Sequence, residues 1–131
     1  MNLAPWTPRV LSVLRIVSAY LFMLHGSTKL LHIPYIARFD HVQLLSMGGI
    51  AGVLELVGGI LLLLGLFTRP VAFVLSGEMA FAYFIAHAPK GNPLMPVTNG
   101  GDAAVLYCFI FLFIAVAGGG SWSLDKLFGR R

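Results

Sequence analysis

Residues 48–69 read GGIAGVLELVGGILLLLGLFTR, and residues 48–67 of that stretch are apolar apart from one carboxylate, Glu55. At about 1.5 Å per residue, a helix of about twenty residues spans roughly 30 Å, the hydrocarbon thickness of a bilayer. An ionised group in that setting costs a few kcal/mol or more, so Glu55 is expected to face protein, water or a partner rather than lipid. It reads either as a functional group or as half of a structural ion pair. Gly48, Gly52, Glu55 and Gly59 recur at intervals of four, three and four, which puts them on one helical face. The glycines there read as packing positions that let a second helix backbone come close.

On the C-terminal side of that stretch, Thr68-Arg69-Pro70 leaves room only for a tight turn, with Pro70 expected at the first position of the next helix. Spans at about 47–67 and 70–87 therefore form an antiparallel hairpin. Upstream, residues 10–31 are a first apolar segment. Arg15 interrupts the run a signal peptide would need and no small-x-small cleavage site follows, so the segment is read as a retained spanning helix. Residues 32–46 (HIPYIARFDHVQLLS) form a connection along the membrane surface with room for short helical pieces. Residues 88–101 (APKGNPLMPVTNGG) are a loop rich in proline and glycine. A fourth helix follows at about 102–117, capped near Asn99, with Asp102 in its first turn where a carboxylate suits the dipole. Gly118-Gly119-Gly120 ends it before a basic, amphipathic tail. The expected fold is all-α: one domain over residues 1–131, an integral membrane four-helix transmembrane bundle of two antiparallel hairpins.

Composition agrees with that reading. The chain is 58% hydrophobic and 11% charged, with a mean hydropathy of +0.87, whereas about a quarter of a soluble domain is charged. The net charge of +4 comes from nine basic residues strewn between apolar segments. They form no basic face, so nucleic acid is set aside as a partner. Cys108 stands alone in an apolar run, which leaves no disulfide framework, CxxC pair or metal set, and it reads as a small buried hydrophobe. Arg9, Arg69, Lys126, Arg130 and Arg131, with Arg15 close by, share the side that holds both termini; Lys29, Arg38 and Lys90 fall on the other. By the positive-inside rule both termini are expected in the cytoplasm, and the chain in the inner membrane as a multi-pass protein.

Four helices deliver polar groups to the outer half of the bundle: His25 and Lys29 near the end of the first, Glu55 two to three turns into the second, His87 at the end of the third, and Asn99 and Asp102 at the start of the fourth. Together they outline a candidate ligand pocket, since bundle cores are where such sites are built. Each has a plainer alternative. His25 and Lys29 also suit snorkelling or capping groups, His87 an interfacial helix end, and Asp102 a dipole partner. Glu78 lies nine residues before His87, half a turn away on the helix, and so is expected to serve a second contact or to pair with a basic group on the first helix. Glu55, the candidate catalytic group, is expected to contact His25 or Lys29.

On these residues the chain resembles the DoxX family of membrane proteins. The resemblance runs through His25-Gly26-x-x-Lys29, the LELVGGILLLLGLFTR block with Glu55, Gly58, Gly59 and Arg69, the Met79-Ala80-x-Ala82 portion of the third helix, the Asn-Gly-Gly-acid opening of the fourth, and the closing Gly-Gly-Gly-Ser-Trp-Ser-Leu-Asp. Many relatives carry Glu in place of Asp102 and Gly-Pro-Gly in place of residues 118–120. The resemblance implies a four-helix membrane protein, associated in some members with thiosulfate:quinone oxidoreductase and in others with quinone or oxidative-stress responses, often beside a soluble redox partner.

The expected function is an inner-membrane protein that binds a quinone or similar lipophilic molecule in the outer-leaflet pocket. His25 or Lys29 donates to a carbonyl there, and Glu55 tunes or relays the proton. No covalently bound cofactor is expected. The chain carries no flavin, haem or iron–sulfur motif and is at most a membrane subunit of a quinone-linked oxidoreductase. Its expected partners are the lipid bilayer, a soluble redox protein and further copies of itself. The alternatives are a membrane anchor for a partner oxidoreductase with no chemistry of its own, and a small proton-coupled exporter. Such exporters keep an essential Glu in the first helix, and this chain has no acid there. A bis-histidine haem through His25 and His87 is a further alternative that a visible absorption spectrum would decide.

Overall fold

A computed structural model describes residues 1–130; Arg131, counted above with the basic residues beside the termini, lies outside the described residues. The chain is all-helical and fits a helical bundle. Its main elements are α1 (Ala4–Leu30), α2 (Met47–Leu64), α3 (Thr68–Lys90) and α4 (Asp102–Ala117). The first three are long and apolar enough to cross a membrane. With 16 residues, α4 reaches about 24 Å and is the short member. Large apolar side chains such as Val13, Val17, Phe73, Phe81, Phe109 and Val116 point outward. An outward-facing apolar belt on helices of this length is the surface of a membrane protein.

The helix ends follow from local chemistry. Ser46 caps α2, its hydroxyl accepting the Gly49 amide at 3.1 Å. That helix stops at Leu64, not at residue 67 as the sequence reading has it, because Gly65 takes a left-handed conformation at φ +69°. The Leu66 amide then bonds the Leu61 carbonyl and the Gly65 amide bonds the Leu62 carbonyl, a Schellman arrangement. The turn is therefore Gly65-Leu66-Phe67, and α3 begins at Thr68, which puts Pro70 third in that helix rather than first. Proline fits any place in a first turn, where its missing N–H has no partner to lose. At the other end α3 runs on through a wide π turn, Tyr83–His87, and a 3-10 turn, Ala88–Lys90. The long loop thus begins later than expected and holds a one-turn helix at Pro96–Asn99.

Packing divides the bundle into two pairs, α1 against α2 and α3 against α4, with the tightly joined α2 and α3 touching less. The first pair is close because two glycines face each other's backbones. A Cβ on Gly26 would lie 2.4 Å from the Leu56 nitrogen, and one on Gly59 would lie 2.9 Å from the Met23 Cα. Between the pairs sits a core that includes Phe22, Leu62, Leu75, Phe111 and Ile114. Phe22 meets Phe111 edge-on at 4.8 Å. Cys108 is half-buried and unbridged, and its carbonyl accepts the Ser76 hydroxyl at 2.8 Å.

The C-terminal segment does not trail away as a loose amphipathic tail. It folds back over the end of the bundle that carries both termini. The Ser121 amide bonds the Pro8 carbonyl, and the Asp125 amide bonds the Gly65 carbonyl. Arg15, with no exposed surface, pins it from within. Its Nε donates to Gly119 at 2.8 Å, and Nη2 donates to Trp122 at 2.5 Å. Its Nη1 donates to Leu63 at 2.6 Å and to Leu62. The last two carbonyls belong to the final turn of α2, where orphaned acceptors carry the negative end of the helix dipole. A buried guanidinium here satisfies helix-end carbonyls instead of a carboxylate.

Candidate functional site

Glu55 lies in a π turn, Leu54–Gly58, where α2 widens. Such turns are rare and recur at functional sites. Its residue is 4% exposed, and both carboxylate oxygens accept from the Lys29 ammonium at 2.8 Å. Lys29 is the next-to-last residue of α1. Helical side chains lean toward the N-terminus, so its stem bends into the bundle rather than toward the helix end. Gly52 makes room for that stem: a Cβ there would meet the Lys29 Cβ at 3.2 Å. Phe39, from the connection between α1 and α2, places its ring 5.8 Å from the ammonium and closes the site from the loop side.

Two further groups join the pair. Glu78 on α3 lies within electrostatic reach of both Glu55 and Lys29. Its two carboxyl oxygens are buried and have no hydrogen-bond partner among the described residues. Tyr107 on α4 is electrostatically coupled to Glu55. Its ring stacks on Phe111 at 5.5 Å and meets the His25 ring edge-on at 6.0 Å. All four helices therefore contribute, through Lys29, Glu55, Glu78 and Tyr107. A buried carboxyl with no protein partner is costly unless water or a bound molecule hydrogen-bonds to it.

The six residues singled out as a ligand set fall into three places. Lys29 and Glu55 are joined, with His25 near them but exposed on α1, its Nδ1 2.9 Å from the Leu21 carbonyl. His87 and Asn99 form a separate network at the loop end. There the Asn99 amide donates to the Tyr83 hydroxyl at 3.1 Å and to the Asn92 carbonyl at 3.2 Å. Asn99 Oδ1 accepts the Gly101 amide at 2.9 Å, and His87 Nδ1 lies 3.4 Å from the Asn99 carbonyl. Asn99 thus staples the loop rather than reaching Glu55. Asp102 is exposed in the first turn of α4. Of the glycine stripe, Gly52 and Gly59 face α1, while Gly48 looks toward Val42 with ordinary contacts. The sequence reading set Glu78 apart from His87, as it stands here, but did not bring it to Glu55. Tyr107 was missed, hidden within an apolar run that carried no sign of which face it occupies.

Residues 10–88, more than half the chain, match the DoxX family. The chain belongs to the DoxX family. An uncharacterised protein of Haemophilus influenzae is 45% identical over 142 aligned residues, covering 99% of this chain and 98% of that protein. No solved structure matches the chain. The match to the DoxX family takes in the whole of α2 and nearly all of α1 and α3, and so contains Lys29, Glu55 and Glu78; Tyr107 lies beyond it.

Proposed function

We propose that this DoxX protein binds a quinone or a similar small lipophilic molecule beside the Lys29–Glu55 pair, as the membrane component of a redox or oxidative-stress system. The observation that carries the reading is the Glu78 carboxyl, with both oxygens buried and unpartnered next to a charge pair drawn from α1 and α2. A quinone carbonyl brings a hydrogen-bond acceptor on an apolar ring, which suits a polar cluster reached through hydrocarbon. The Lys29 ammonium donates to that carbonyl, and Glu55 and Glu78 hold and pass protons as the ring takes up two electrons and two protons to become the quinol. The electrons come from a soluble redox partner, and the membrane chain supplies binding and proton handling. In this reading the protein sits in the inner membrane with both termini cytoplasmic, from the excess of Lys and Arg beside them.

The experiment is organic extraction of gently purified protein, followed by chromatography for quinones. Wild type should carry quinone well above the level of an unrelated four-helix membrane protein purified alongside, and Glu78→Gln with Glu55→Gln should not. Equal quinone in all three samples contradicts the reading. The bidentate seat of Lys29 on Glu55 favours a second one, a membrane anchor in which the pair only ties α1 to α2. On that reading a charge-free pair of similar shape keeps both fold and biological activity.

A further inference from the structure

A wide cavity lies at the opposite end of the bundle from Glu55. It is an open trough of about 1140 Å³ between the starts of α1 and α3 and the end of α4. Small-molecule sites usually measure about 300–1,000 Å³, so this trough exceeds what one compact ligand fills. Its wall is apolar where it faces the membrane, with Val10, Leu14 and Phe113. Val10 and Phe113 are both more than half exposed. Its rim is cationic, with Arg69, Lys126 and Arg130.

Two of the cations are held near the rim by something other than a carboxylate. Arg69 donates from Nη1 to the Ala115 carbonyl at 3.1 Å and to Val116, the last-turn acceptors of α4. The Arg130 guanidinium lies 4.5 Å over the Phe67 ring. Lys126 is exposed. Among the described residues no carboxylate comes within ion-pair distance of any of the three. Asp125 also lines the trough, but its two oxygens accept the Phe67 amide at 2.9 Å and the Thr68 amide at 2.7 Å. The start of α3 is thereby already capped, and the charge left for an incoming group is positive.

The geometry points to a binding site for an anionic phospholipid, whose phosphate sits among Arg69, Lys126 and Arg130 while one acyl chain lies along Val10, Leu14 and Phe113. A basic cleft between spanning helices at the membrane surface attracts such headgroups, and the apolar wall below it faces the acyl region. A soluble anion uses the rim and leaves the wall uncovered. A lipid with no net headgroup charge uses the wall and leaves the rim, three cations against the one carboxylate of Asp125, with its excess positive charge uncompensated. Only an anionic lipid satisfies both at once.

Native mass spectrometry of the delipidated full-length protein, titrated with phosphatidylglycerol or phosphatidylcholine, tests the site. Wild type should retain phosphatidylglycerol preferentially. Lys126→Gln with Arg130→Gln should lower that preference on the order of ten-fold or more, and Lys126→Arg with Arg130→Lys should restore it. Val10→Trp, which fills the wall and leaves the rim intact, should weaken retention of phosphatidylglycerol and keeps the test open if the rim variant fails to fold. Equal retention of the two lipids by wild type overturns the proposal. So does a preference unchanged in both the rim and the wall variants, or phosphatidylglycerol bound no better than inorganic phosphate.

Discussion

Lys29 and Glu55 show how a single cost can make a site legible. A carboxylate in the middle of an apolar span and a lysine one helix away had to meet or leave the hydrocarbon, and they meet at 2.8 Å. What the sequence could not supply was the other half of the cluster. Helical arithmetic gives the face on which Glu78 lies but not which helix that face meets, and Tyr107 sits among apolar neighbours that give its hydroxyl no signature. The pair makes a direct prediction. Lys29→Met alone leaves a buried carboxylate uncompensated and should cost about 3–5 kcal/mol, while Lys29→Met with Glu55→Gln should recover most of that loss. Unfolding of the four proteins in one detergent, as a double-mutant cycle, measures the coupling. Additive costs would mean that the two groups do not depend on each other.

At the scale of elements, the helices were visible as apolar runs, and α2 ends on local residues, Ser46 and Gly65, but the start of α3 was not legible because its cap comes from a distant part of the chain. The start of α3 is capped by Asp125, some 57 residues away, and the close approach of α1 to α2 rests on Gly26, which no periodicity singled out. Gly26→Ala should therefore overpack the α1–α2 contact by about 1–3 kcal/mol or more. Gly77→Ala, where an added Cβ meets nothing within 4 Å, should be neutral or stabilising by up to about 1 kcal/mol. Equal effects at the two positions in a thermal-unfolding comparison would show that α1 and α2 are not in backbone contact. Asp125 gives a pH signature. Partial burial alone would raise its carboxyl, but the Thr68 and Phe67 amides, with Arg130 nearby, hold it below the ordinary carboxylate value. A group depressed in the fold stabilises fully above its unfolded pKa of about 4, and that contribution is lost as pH falls through the folded value. Asp125→Asn should remove the acid-side loss of stability attached to this cap and cost up to about 2 kcal/mol at neutral pH. An unchanged acid limb would assign that loss to other carboxyls.

For the whole molecule, apolar length and glycine spacing were enough to give a membrane bundle, and the close α1–α2 pair follows from Gly26 and Gly59, which open that contact. The strap over the terminal end was not legible, since Arg15 looked like an isolated charge until the carbonyls around it were in place. Orientation rests on Lys and Arg counts: reporter fusions after Arg130 and within the loop after Lys90 should report opposite compartments, the former cytoplasmic. A periplasmic signal at the C-terminus would reverse the assignment. The central claim is that the Glu55–Glu78 cluster receives the ligand, and quinone-induced infrared difference spectroscopy of the purified protein tests it at the carboxyl groups themselves. Addition of a quinone should perturb a carboxyl band that is absent from the Glu78→Gln protein. A difference spectrum without carboxyl bands, or one identical in wild type and Glu78→Gln, would contradict the account.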